Sequence, residues 1–367
     1  MNVPLLDLKI QYKDILDEIR EEIEKVFISN RYILGPQVKE FEEMAAKYCQ
    51  CNHAIGCASG TDALVLALKA LDIKENDEII TTTFTFFATA GSISRVGAKP
   101  VFVDIKEDTF NIDPEKIKKA ITPKTKAIIA VHLFGQPAEM DKIMAIAHEH
   151  DLKVIEDNAQ GIGAKFDGKI AGTIGDIGTL SFFPSKNLGA MGDAGMCLTN
   201  DDDLAARLYQ LRVHGENPQY FHKWVGLNSR LDTIQAAVLK VKLPHLDNWS
   251  EARRKNAQYY YKHLNDVKQI KLPVINSKVI SIYNQFTLIV ENRDGLLEYL
   301  RKNNIGCAVY YPKPLHIQDC FSKLGYKKGD MPVAEQISQK VISIPIFSEI
   351  TKEQQDYVIE KIREFYL

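Results

Sequence analysis

Short β-rich runs alternate with longer stretches of helical periodicity through the first two hundred residues, and no other feature of this chain restricts its fold so tightly. Glu78-Ile-Ile-Thr-Thr82, Pro100-Val-Phe-Val-Asp104, Ala127-Ile-Ile-Ala-Val-His132 and Lys153-Val-Ile-Glu156 are dense in β-branched residues and bounded by polar, Gly or Pro positions, which predicts buried strands. Between them, Asp62–Leu71, Asp113–Ile121 and Glu139–His150 carry helical spacing. This alternation predicts an α/β layer fold, with a largely parallel sheet covered on both faces and helices forming right-handed crossovers.

After Thr199 the pattern changes. Asp201–His214 and Asp232–Ala257 read as helices, the second passing through Pro244, and Gln285–Val290, Cys307–Tyr311 and Val341–Pro345 read as short strands. A closing helix runs to Tyr366, with the Thr351 hydroxyl as its cap. The expected division is therefore a large α/β domain over residues 1–245 and a smaller α+β domain over residues 246–367. The large domain opens with an amphipathic helix at Tyr12–Phe27, a Gly35-Pro36 turn and a further helix start.

Charge narrows the function. With 46 basic and 48 acidic side chains the net charge is −2, which lacks the basic excess of a general nucleic-acid binder. Pro4, Asp7 and Lys9 interrupt the start where a signal peptide needs an apolar core, and Ala127–Val131, resuming at Leu133, is too short to span a membrane. The six cysteines form no C-x-x-C pair and read as free thiols of a cytoplasmic protein. His148-Glu-His150 puts its two rings on different helix faces, so no metal is expected. Gly161-Ile-Gly163-Ala-Lys-Phe166 fails the dinucleotide fingerprint.

In an open parallel sheet, ligands bind at the carboxyl ends of the strands. Four such places carry candidate chemistry. Cys57-Ala-Ser-Gly-Thr-Asp62 is a small-residue turn into a helix, able to cradle a phosphate on free N–H groups, or simply to cap the helix through Ser59 or Thr61. Asp157 emerges from a buried strand and needs a cation, or a structural partner such as a helix N-terminus. Lys186 sits in an apolar, glycine-flanked loop, as a desolvated amine suited to a Schiff base or as an ordinary surface lysine. Thr81–Ala90 is rich in Phe, offering a ring to stack on a flat ligand or simply core packing. Together, in chain order, these supply a phosphate cradle, a stacking ring, a carboxylate for a ring nitrogen and an amine for an aldehyde, which are the needs of pyridoxal phosphate.

The chain resembles the DegT/StrS-type sugar aminotransferases, of the aspartate aminotransferase fold type. The likeness runs from Pro4-Leu-Leu-Asp-Leu through Gly35-Pro36, Ser59-Gly-Thr61, Phe84-Thr-Phe86-x-Ala-Thr-Ala90, Glu156-Asp157-x-Ala-Gln160, Ser181-Phe-x-Pro-x-Lys186, Gly226-Leu-Asn228-Ser-Arg230 and Tyr311-Pro312. The resemblance implies the fold type I of pyridoxal-phosphate-dependent transferases, with Lys186 as the Schiff-base lysine and proton carrier. It implies Asp157 at the pyridinium nitrogen, Gln160 at the ring's 3-oxygen side, Phe86 on the ring face, and Gly60, Thr61 and Ser181 at the phosphate. Asn228 would complete that phosphate site from the neighbouring subunit, making a homodimer with shared active sites. Arg230 is a substrate or interface contact, or half of a structural ion pair, and Tyr310 and Tyr311 face the substrate.

The implied reaction moves an amino group from L-glutamate, through pyridoxamine phosphate, to a nucleotide-linked keto sugar. Leu243–Arg254 and Tyr311–His316 resemble the branch that aminates C3 of dTDP- or UDP-hexoses, whose products enter surface polysaccharides or glycosylated natural products. The alternatives are a 4-keto sugar aminotransferase, a sugar 3-dehydratase, which would carry His in place of Lys186, and a regulator that only binds the cofactor. Arg253, Arg254 and Lys255 could meet a diphosphate or form a solvated basic face. Three positions depart from the family pattern: Tyr310 stands where many relatives have His, and Met191 and Ala194 replace residues that are often polar or aromatic and Gly.

Overall fold

The computed structural model describes residues 1–367. Its centre is a seven-stranded sheet in the order His53–Cys57, Gly195–Thr199, Ile177–Ser181, Lys153–Asp157, Thr125–Val131, Glu78–Thr82, Lys99–Val103. Six strands run in one direction, and only Gly195–Thr199 is antiparallel to its neighbours. The four strands read from the sequence lie within one or two residues of their expected bounds. The same holds for the helices Gly60–Ala70, Pro114–Ala120 and Met140–Glu149.

Side chains alternate across a strand, and the core follows that period. Ile79, Ala127, Ile129, Ile155 and Ile177 pack on one face against helices Gly60–Ala70 and Asp202–Leu211. Ile80, Ile128, Ala130 and Val154 pack on the other, against Pro114–Ala120 and Met140–Glu149. Each such side chain, fully buried, contributes about 1.5–3 kcal/mol. A third cluster, from Val38 and Phe41 to Phe182, Leu188, Leu239 and Leu246, seats helices Pro36–Cys49 and Thr233–Lys242.

The remaining core has its own sheet, Ile270–Lys271, Phe286–Val290 and Val341–Ile344, antiparallel throughout, with helices Leu246–Leu264, Arg293–Lys302 and Lys352–Tyr366 around it. Thr351 caps the last helix in a reciprocal capping box with Gln354. On this packing we propose the division at residue 245, with one amendment. Val3 bridges Ile305 and is buried among Leu288, Leu300 and Ile342, so the first residues cross over to the smaller unit.

Three elements differ from the expectations. The segment Tyr12–Phe27 is not one helix: Leu8–Tyr12 and Leu16–Ser29 are separate, joined through Lys13–Ile15. The stretch Asp232–Ala257 is cut into Thr233–Lys242, a 3₁₀ turn Leu243–His245, and Leu246–Leu264, because Pro244 supplies no backbone N–H to continue an α-helix. Cys307–Tyr311 is not a strand. Only Ala308 bridges Ser343, and the chain then turns toward the large sheet, where Leu315 N–H donates to Thr83 O at 2.8 Å.

Candidate active site

Ser59, Asp157 and Ser181 all stand at or just past the carboxyl ends of parallel strands, and Gly195 opens the antiparallel strand between two of them. Ser59 is the helix cap: its Oγ accepts from the Asp62 N–H at 3.1 Å. That leaves Gly60 and Thr61 in the first turn, where backbone N–H groups have no intrahelical partner. The turn packs closely on the next loop, since a Cβ at Gly60 would stand 2.7 Å from Ser181 Cβ. Only glycine lets the helix N-terminus and the Ser181 hydroxyl converge on one small cradle.

Asp157 is buried, with Oδ2 accepting from Thr89 Oγ1 at 2.7 Å and Oδ1 from the Ala159 N–H at 3.3 Å. Burial raises its carboxyl above the ordinary value, while Thr89, Ala159 and the Lys186 charge pull the other way. Lys186 lies in the loop after Ile177–Ser181, partly buried. Desolvation lowers its amine to about 8, against the opposing pull of Asp157. Amine and carboxylate therefore lie within electrostatic reach of each other. Together with the cradle, they form a donor set that fits a phosphorylated pyridine aldehyde.

Glu156, beside Asp157 on the strand, is fully buried and points the other way. It accepts from Gly172, Ile174 and Gly175 N–H and from His132 Nε2 at 2.8 Å. Burial pushes its carboxyl up, but these hydrogen bonds outweigh that and hold it below the ordinary value. His132 Nδ1 accepts from Ala138 N–H at 3.1 Å, which assigns the proton to Nε2. The pair thus fixes the end of the strand that presents Asp157.

Gln160 Oε1 accepts from Phe134 N–H at 2.7 Å and its Nε2 donates to the Tyr311 hydroxyl at 3.3 Å. Phe86 is 58% exposed, with its ring 6.4 Å from that of Tyr311, whereas Phe84 is wholly in the core. The aromatic run therefore divides between a core ring and a ring open at the site. Tyr310 stands edge-on to Tyr311, 5.8 Å between centroids.

The structure does not draw Asn228 or Arg230 into this pocket. Asn228 is exposed and lines, with Ala58, Asp193, Arg230 and Asp232, a cleft of about 520 Å³ beside the Ser59 turn. Ser229 Oγ anchors that segment by accepting from Ala58 N–H at 3.3 Å. Arg253 is not part of a basic surface: it is buried, donating to the carbonyls of Tyr283 and Asn284, and Arg254 pairs with Glu251.

Reading the sequence alone misses Thr89, His132 and Glu156 as supporting groups. Thr89 lies inside the quoted Phe84–Ala90 motif, so its signal was present. No local pattern ties His132 to a residue 24 positions away.

Residues 13–363 match the DegT/DnrJ/EryC1/StrS aminotransferase family. A "pleiotropic regulatory protein" of Geobacillus stearothermophilus is 51% identical, the match covering 100% of this chain and 99% of that one. A UDP-N-acetyl-3-dehydro-alpha-D-glucosamine 3-aminotransferase of Acidithiobacillus ferrooxidans is 44% identical over 98% and 97% of the two chains. Among solved structures, Streptomyces venezuelae DesV in complex with a ketimine intermediate superposes with a TM-score of 0.97 at 40% identity, covering 100% of this chain and 98% of that one.

Proposed function

From the premise that this chain belongs to the DegT/DnrJ/EryC1/StrS aminotransferase family, we propose that it moves an amino group from L-glutamate to C3 of a keto hexose carried on UDP or dTDP. The cofactor is pyridoxal 5′-phosphate, cycling through pyridoxamine phosphate. The observation that carries the reading is the convergence, at the carboxyl ends of the parallel strands, of Asp157, the Gly60–Ser181 cradle and the loop bearing Lys186, whose amine burial lowers to about 8.

Bound there, the cofactor supplies an electron sink and carries the amino group between donor and acceptor. Lys186 Nζ would hold its aldehyde and, when free, would accept and return a proton as general base and acid. The Asp157 carboxylate, held by Thr89, keeps a proton on the ring nitrogen. Gly60 and Thr61 N–H groups and the Ser181 hydroxyl hold the phosphate. Phe86 covers one ring face and Gln160 orients the edge bearing the 3-oxygen.

Asn228 of the partner subunit completes the phosphate site in a homodimer, a reading supported by its exposure here beside the Ser59 turn. Arg230, Tyr310 and Tyr311 are assigned to the substrate side. No helix is long and apolar enough to cross a membrane, and the six free cysteines support a cytoplasmic setting. The regulatory name of the 51% identical relative does not favour a binding-only role, because this chain carries Lys186, the residue proposed to bind the aldehyde, beside the Asp157 carboxylate.

The test is the visible spectrum of the protein with pyridoxal phosphate before and after L-glutamate, beside Lys186→Ala. The wild type shows the band of lysine-bound cofactor and glutamate converts it to the pyridoxamine form, while the variant lacks the first band. A wild type that never binds the cofactor through lysine would sink the assignment. A panel of UDP- and dTDP-linked 3-keto and 4-keto sugars then selects the acceptor.

A further inference from the structure

Lys242 ends the helix Thr233–Lys242 and is 0% exposed. Its amine donates to the carbonyl of Gly189 and, at 3.3 Å, to the Tyr12 hydroxyl, with the ring centroids of Tyr12 and Trp249 4.5 and 5.8 Å from the nitrogen. Glu349 is the charge that acts on it, and no carboxylate forms an ion pair with it. Burying an amine this deeply penalises its charged form and lowers its value to about 7, and an apolar side chain of similar volume would carry no such penalty. What the amine holds is therefore informative.

Gly189 belongs to the loop Phe182–Ala190 that presents Lys186. The loop folds back on itself: Lys186 N–H donates to Phe183 O at 2.9 Å and Ala190 N–H to Phe182 O at 2.7 Å. A Cβ at Gly189 would stand 2.3 Å from Pro184 O, so no larger residue lets the two strands of the loop approach. The Gly189 carbonyl, held by the Lys242 amine, ties this loop to the helix Thr233–Lys242, while Asn187 ties it to Ile282 and Asn284. Two helical turns earlier, and so on the same face, Gln235 accepts from Met191 N–H at 2.9 Å and donates to Met191 O at 3.3 Å. One helix thus grips the chain on both sides of Ala190.

We propose that Lys242 is a positioning residue for the transfer reaction: by holding the Gly189 carbonyl it fixes the loop that aims Lys186 into the pocket. The proposal rests on the reading of Lys186 given above, and the two fail separately. Hydrogen exchange of the loop reports Lys242 without regard to turnover, whereas the Lys186→Ala spectrum reports Lys186 alone.

The experiment compares holoenzymes. Lys242→Met keeps the apolar stem and removes the donor, so amide exchange over residues 183–190 speeds up about tenfold while the strand Thr125–Val131 keeps its protection. Turnover falls about tenfold with KM for L-glutamate within about twofold, because the loss is of orientation and not of donor binding. Lys242→Gln, shorter but still a donor, falls between the two and stands in if the methionine variant does not fold. Unchanged exchange and turnover in a folded variant overturn the proposal. So does protection lost evenly across the sheet, or failure of both variants to fold, since either makes Lys242 a residue of general stability.

Discussion

The chemistry at residue scale turns on how one amine is charged. Lys186 must be neutral to capture an aldehyde, and burial lowers its value from 10.5 to about 8 while Asp157 opposes the shift. Raising the pH through that value converts ammonium to amine, so capture by the cofactor-free protein accelerates up to about pH 8 and then levels off. An ordinary lysine would keep gaining to beyond pH 10. Stopped-flow absorbance across pH 6–10.5 separates the two courses, and a rise that continues past pH 9.5 would contradict the buried setting of Lys186. The neighbouring pair Glu156 and Asp157 shows how adjacent residues on a strand serve opposite ends. Glu156 faces one way and is spent on four hydrogen bonds that hold the strand end. Asp157 faces the other, where its carboxyl accepts from Thr89 and Ala159.

Elements matter here for where they stop. Strand Lys153–Asp157 ends with Asp157 opposite Thr179, just short of the end of strand Ile177–Ser181, which places the carboxylate and the Lys186 loop at one edge. Helix Gly60–Ala70 starts at that same edge because Ser59 caps it and Gly60 tolerates the approach of Ser181. Gly60→Ala inserts a methyl 2.7 Å from Ser181 Cβ, and the cradle must open to admit it. Cofactor affinity should fall about tenfold or more, as expected when phosphate donors shift by a few tenths of an ångström, while the cofactor-free protein loses little stability. Fluorescence titration with pyridoxal phosphate measures the first and thermal melting of the cofactor-free protein the second. Equal affinity in the two proteins would remove Gly60 from the cradle.

Across the whole molecule, the two packed units meet around the pocket. The smaller unit sends Tyr311 back to Gln160 and ties Leu315 to Thr83, so the side of the pocket proposed for the substrate is assembled from segments more than 150 residues apart. The proposed sharing of sites between two copies has a complementation test. Lys186→Ala and Asn228→Ala homodimers are each impaired, but a hybrid of the two has one site with both defects and one with neither. Refolding an equal mixture should recover about a quarter of wild-type activity, since about half the dimers are hybrids and each has one intact site. Recovery no greater than the sum of the parents would place Asn228 in its own subunit's site.

The sequence by itself determined the layered α/β fold and the ends of most strands and helices, and it singled out the residues proposed for the cofactor, because periodicity and strand-end motifs are local properties. Ser59, Asp157 and Lys186 could be picked out from spacing alone. Tertiary structure decided what depends on partners distant in the chain: the single antiparallel strand, Val3 joining the core of the far unit, and Cys307–Tyr311 turning away from a sheet. It also set Arg253 in the interior, where the sequence left a diphosphate contact or a solvated basic face, and Lys242 under the loop that carries Lys186. Charge pattern records that a side chain is ionic, whereas burial and the carbonyl it meets are fixed only when the elements pack.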